Sequence, residues 1–106
     1  MTEPREFGLP ATALQKIASV LEKHTEVETA LIYGSRAKGT EKPSSDIDLT
    51  LTGPGLTFTD LLRIEVEIDD LLLPYKFDLS ILSQIESVGL REHIARVGRV
   101  LYARRP

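Results

Sequence analysis

Apolar positions along the chain follow two rhythms, one of period 3.6 and one of period 2, and the places where they change mark the elements. Leu14, Ile17, Ala18 and Leu21 repeat at helical spacing behind Pro10, whose missing N–H suits a first turn. Gln15, Lys16, Glu22 and Lys23 take the opposite side, and His24 falls in the last turn, where the helix dipole favours it. From Val27 to Tyr33 the rhythm becomes that of a strand, and both of its faces turn apolar towards Tyr33, as expected for a central strand covered on both sides. Gly34 stops this strand. Ser35 is placed to cap a short helix through Lys38, which Gly39 closes.

A second strand is expected from Asp46 to Thr52, with Ile47, Leu49 and Leu51 on one face and Asp46, Asp48 and Thr50 on the other. Gly53-Pro54-Gly55 breaks it. Thr57 with Asp60 is a capping pair for a helix running to Leu72, whose buried stripe is Leu61, Ile64, Ile68, Leu71 and Leu72. Arg63, Glu67 and Asp70 form its solvated face. Lys76 to Leu82 alternates again, with Asp78 and Ser80 opposite Phe77, Leu79 and Ile81. A last helix starts at Ser83 with Glu86, or at Ser87, and ends at Val97-Gly98; Val100-Leu101-Tyr102 reads as a short edge strand. The fold class expected is a two-layer α+β domain, a small mixed β-sheet with helices packed on one face. Residues 1–9, with Pro4, Gly8 and charges, are expected to be a flexible lead-in to a single domain over residues 10–103.

Composition narrows the chemistry. A chain of 106 residues suits one core, and about 60–70% of its unfolded surface is buried on folding. Thirteen basic against sixteen acidic residues leave a formal charge of -3, so the chain carries no electrostatic footprint for a nucleic-acid backbone. With no cysteine, disulfides and thiolate metal sites are excluded. No apolar run approaches the ~20 residues of a membrane span, and a cytoplasmic location is expected.

The candidate chemistry lies where the first two strands meet. Asp46 and Asp48 are two apart on a strand, so their side chains leave one face with Cβ atoms ~7 Å apart. Asp78 has the matching phase on the third strand, and if the two strands are neighbours, three carboxylates meet. Such a grouping is unfavourable without cations, and acids without histidine or cysteine suit Mg²⁺ rather than zinc. Two carboxylates at this separation can serve a pair of divalent ions ~3.5–4 Å apart. Gly34 permits close backbone approach, and a helix opening at Ser35 offers N–H groups to an anion. Arg36 and Lys38 stand ready to neutralise phosphates. The expected reaction is in-line attack on the α-phosphorus of a nucleotide, with Asp78 drawing off the proton of the attacking hydroxyl. Singly, Gly-Ser is a turn, Asp-x-Asp a strand entrance and Asp78 an exposed strand residue; only their conjunction points to a site. His93 lacks a second imidazole at ligand spacing and reads as a surface or packing residue.

Gly34-Ser35-x-Ala37-x-Gly39 followed by Ser45-Asp46-x-Asp48-Leu49 resembles the signature of the DNA polymerase beta nucleotidyltransferase superfamily. Phe77-Asp78-Leu79 looks like the third-acid strand of its minimal nucleotidyltransferases, the MNT proteins, and the likeness spans Ala11 to Tyr102. The resemblance implies the polymerase-beta-type fold, with Gly34 and Ser35 on the phosphates and Asp46, Asp48 and Asp78 on two Mg²⁺ ions. It also implies an antitoxin role: transfer of AMP from ATP to a tyrosine of a HEPN-domain toxin, a partner in a hetero-oligomer. Nucleotidyl transfer to a small molecule such as an aminoglycoside, and a non-catalytic antitoxin that acts by contact alone, are the competing functions. Polymerisation fits least, because the chain is acidic and has no primer-binding extension.

Overall fold

The computed structural model describes residues 5–105. A two-stranded hairpin, β1 (Arg5–Glu6) and β2 (Leu9–Pro10), leads into helix α1 (Ala11–Lys23). Then come β3 (Thr29–Tyr33), the one-turn helix α2 (Ser35–Lys38), β4 (Ile47–Thr52), α3 (Phe58–Asp69), β5 (Phe77–Ile81), a single 3₁₀ turn, α4 (Val88–Val97) and β6 (Arg99–Ala103). The four long strands form one mixed sheet in the order β5-β4-β3-β6, antiparallel except for the parallel pair β4–β5.

Period-2 alternation divides this sheet into two chemically distinct faces. Register pairs Ala30 with Leu51 and Ile32 with Leu49, and Leu49 in turn with Leu79. These side chains make the core with the buried faces of α1 (Ala13, Ile17, Val20, Leu21) and α3 (Leu61, Ile64, Ile68). The opposite face pairs Tyr33 with Asp48 and Leu31 with Thr50, and carries Asp78 and Ser80 on the neighbouring strand. α1 and α3 thus pack on one face, as expected. α4 departs from that expectation and approaches the other face, where His93 meets Tyr33 edge-on at 6.2 Å between ring centroids. That second cover explains why β3 turns apolar on both faces near its end.

Local signals place most boundaries. Thr57 and Asp60 form a reciprocal capping box at the start of α3, and the Ser87 hydroxyl accepts from the Leu90 N–H at the start of α4. His24, just past α1, binds Glu67 of α3 at 2.7 Å and so ties the two core helices together. α3 ends at Asp69 rather than Leu72. Leu72 is 88% exposed, not part of the buried stripe, because it takes a left-handed φ of 55° to turn the chain towards Pro74. Arg104, in a tail too short to read from sequence, donates to the carbonyls of Glu22, His24 and Val27 and fastens β6 to the α1–β3 turn.

The expected lead-in is the main departure; its first four residues lie outside the described part. Residues 5–10 are folded, with Leu9 fully buried and Phe7 nearly so. Phe7 and Gly8 both have positive φ, 58° and 73°, as a two-residue hairpin turn of type I′ requires. A phenylalanine is costly in that conformation, and its burial under the Arg99 guanidinium, 4.9 Å from the ring centroid, offsets the strain. Leu9→Ala is therefore expected to destabilise the fold by about 2–5 kcal/mol in urea unfolding. A loose lead-in would leave the midpoint unchanged.

Candidate active site

The end of β3 turns abruptly at Gly34, whose φ of 76° and ψ of -154° open helix α2. A side chain there would be strained, and its Cβ would lie inside contact distance of the Asp48 Oδ2. The carboxylate of Asp48 is therefore packed directly against the Gly-Ser turn. Ser35 is the first residue of α2 rather than its cap, which Gly34 provides. The Ser35 hydroxyl has no hydrogen-bond partner among the described residues and is half-buried. One side of the site is thus a glycine backbone with a hydroxyl beside it, facing a carboxylate.

Parallel pairing sets Asp78 in register with Asp48 on the adjacent strand, so both leave the same face. Asp46 stands just before β4 and is exposed, as is Asp78, while Asp48 is half-buried. Asp48 feels the charges of the other two acids. The Asp48 carboxyl is pushed above the usual carboxylate range, first by burial and then by the charges of Asp78 and Asp46; His93 pulls it back down. Tyr33, the register partner of Asp48, has its hydroxyl pushed up first by burial; a hydrogen bond with Ser80 lowers it, and the charges of Asp78 and Asp48 raise it further. The expected meeting of three carboxylates holds in phase and neighbourhood but not in closure. Among the described residues no three acidic or histidine side chains stand close enough to enclose one metal ion. The donor set is nevertheless carboxylate oxygen throughout, the chemistry that suits a hard divalent cation, and its mutual repulsion is what such a cation would relieve.

With this geometry in hand, comparison with known proteins is decisive on lineage. Residues 15–106 match the polymerase beta nucleotidyltransferase family. The chain belongs to that family. A relative from Methanocaldococcus jannaschii that carries the name protein adenylyltransferase MJ0435 is 39% identical over 59 residues, 55% of this chain and 62% of that protein. The match thus spans less than two thirds of the relative's length. A chain in the crystal structure of a toxin–antitoxin with AMP-PNP superposes with a TM-score of 0.69 at 22% identity, covering 86% of this chain and 73% of that one. A chain in the structure of a tri-AMPylated Shewanella oneidensis HEPN toxin in complex with MNT antitoxin gives 0.65 at 18%, covering 88% and 71%. Likenesses at that identity establish the polymerase-beta-type nucleotidyltransferase fold.

Within this family member, Gly34 packs against Asp48, Asp48 and Asp78 leave one face in register, Asp46 is near enough to act on Asp48 by its charge, Ser35 opens α2 and Lys38 is exposed in its single turn. Arg36, expected on the phosphates, is not at that surface. It is 1% exposed, and its guanidinium donates to the carbonyls of Phe7 at 2.9 Å, Ser45 at 2.9 and 3.1 Å and Pro43 at 3.4 Å. It also lies over the Tyr75 ring, 5.2 Å from its centroid. Three carbonyls satisfy it, so it holds the loop before Asp46 rather than a ligand. Sequence reasoning also passed over His93 and Tyr33 as neighbours of the acids. The one signal for Tyr33 is its place directly before the glycine on the face that carries Asp48; for His93 there is none without knowing which side of the sheet α4 covers.

Two measurements check these placements. Arg36→Ala is expected to cost at least ~2 kcal/mol in denaturant unfolding, whereas removal of an exposed phosphate ligand would change stability by no more than ~0.5 kcal/mol. Asp48 binds its proton more tightly folded than unfolded, so the stability it contributes is fully present below the ordinary carboxylate value. That stability is lost as pH rises through the raised folded one. Asp48→Asn cannot ionise, and its Tm is expected to exceed that of the native chain at neutral pH, the gap closing below about pH 4.

Proposed function

We propose that this chain is a magnesium-dependent adenylyltransferase that moves AMP from ATP to a protein hydroxyl, a tyrosine of a HEPN-family toxin, and so acts as its antitoxin. The observation that carries the reading is the direct packing of the Gly34-Ser35 turn against Asp48, itself in register with Asp78. The name of the M. jannaschii relative, the AMP-PNP in one structural neighbour and the AMPylated HEPN toxin in another support the same reaction and partner.

In this reading the Gly34 backbone and the Ser35 hydroxyl receive the triphosphate, and Lys38 adds positive charge from the exposed end of α2. Asp46, Asp48 and Asp78 would hold magnesium, which when bound neutralises phosphate charge and acidifies the attacking hydroxyl. Asp78, the exposed member on the edge strand, takes the acceptor's proton. The acceptor oxygen forms a bond to the α-phosphorus as the bond to pyrophosphate breaks on the opposite side. The transferase works in the cytoplasm, in keeping with the lack, among the described residues, of any helix long and apolar enough to cross a membrane.

Incubation with labelled ATP, Mg²⁺ and a HEPN-family toxin protein tests this. The expected result is a mass gain of AMP on a tyrosine of that partner, abolished by chelation and lowered by about 100-fold or more in Asp48→Asn and Asp78→Asn. Undiminished turnover in either variant would remove that residue from the site. Tight binding of an unmodified partner would establish contact, not transfer, as the mode of action.

A further inference from the structure

Helix α3 carries more apolar surface than its core face uses. Beyond the buried Leu61, Ile64 and Ile68, it sets Phe58, Leu62 and Val66 at i, i+4 and i+8, with 60%, 47% and 61% of their surfaces exposed. Residues four apart lie above one another, so the three form a continuous stripe about two turns long. The stripe lies away from Glu67, which reaches His24 on the α1 side, and its Val66 end reaches strand β5. There Val66 borders a groove of about 380 Å³ that Tyr75, Phe77 and Leu79 also line. β5 is the sheet's edge, so no further strand covers these side chains among the described residues.

Charge selects the occupant. Glu65 and Asp69 rim the groove against Lys76 alone, and the exposed Asp70 follows at the end of the helix. A second copy of this chain would bring another set of carboxylates to the same seam, which like-charge repulsion opposes. A basic partner would be attracted. We propose that the α3 stripe and the β5 groove dock the protein partner through an amphipathic helix with apolar positions at i, i+4 and i+8 and flanking Lys or Arg. This rests on the reading of the chain as a transferase acting on a protein. It gives that reaction an anchoring surface: Phe77 and Leu79 flank Asp78 on β5 but leave the opposite face. A helix seated there holds the acceptor protein beside the acids without covering them.

The test uses two synthetic helical peptides of about five turns, identical in their apolar positions, one flanked by lysine and one by glutamate. Anisotropy titration against the full chain is expected to show the lysine form at least ~10-fold tighter. Leu62→Glu and Val66→Glu are expected to weaken it a further ~10-fold or more while keeping native helicity, since both side chains are exposed. Equal affinity for the two peptides, no binding of either, or indifference to Leu62→Glu would overturn the proposal. So would a concentration-dependent dimer of the chain that Leu62→Glu disperses, which would make a second copy the occupant. Asp48→Asn separates the two readings: it retains peptide binding if the docking surface is right. Intact docking with no transfer to any protein by the native chain defeats the catalytic reading alone.

Discussion

The site depends on a cation that never touches it. Arg36 is sealed from water in α2, and a guanidinium so placed must find acceptors or cost several kcal/mol. It finds them in the hairpin before α1 and in the loop before Asp46, and its flat face rests on the ring that precedes β5. Those contacts join the Gly-Ser turn to both segments that deliver carboxylates. The acids and the turn keep their mutual geometry because one buried fork spans all of them. A lysine would bring the charge without the fork, and so could not serve the same three directions.

From that anchor the sheet divides the labour. One face is spent on a core shared by α1 and α3, and the other on polar groups that repel one another. Burial raises the proton affinity of Asp48, and its two acidic neighbours raise it further; only His93 on α4 opposes them. Such an arrangement is uphill in an empty state and becomes favourable when positive charge arrives, which is how a binding site differs from a structural ion pair. The glycine at the end of β3 serves the same end by letting backbone come where a side chain would collide with the carboxylate.

Much of this was legible in the linear sequence, because alternation is a local property. The phase of Asp46, Asp48 and Asp78 against their apolar neighbours put them on one face before any strand order was known, and Thr57 with Asp60 marked the start of α3. What escaped depended on distant partners. Arg36 beside a phosphate-like turn reads as a ligand; its burial is decided by carbonyls at Phe7 and Ser45, invisible to spacing. The hairpin over residues 5–10 has strands of two residues each, too short for any periodicity, and its turn puts Phe7 where Asn is the usual choice. Leu72 fitted a helical stripe that the chain abandons three residues earlier. That the three carboxylates share a face without enclosing one ion is a matter of side-chain reach, which no period encodes.

The terminal strand has a consequence for how the molecule comes into being. Thr29 of β3 pairs with Ala103 of β6, so one flank of the central strand is completed only by a strand that follows β3, β4 and β5 in the chain. During synthesis β3, β4 and β5 leave the ribosome first, and the acid cluster can assemble while β3 still shows a raw flank of unpaired amides. An interval of that kind invites wrong pairings with other nascent chains. Fastening by Arg104 to the carbonyls ahead of β3 closes the interval, turning the segment that leaves β6 into the latch of the whole sheet.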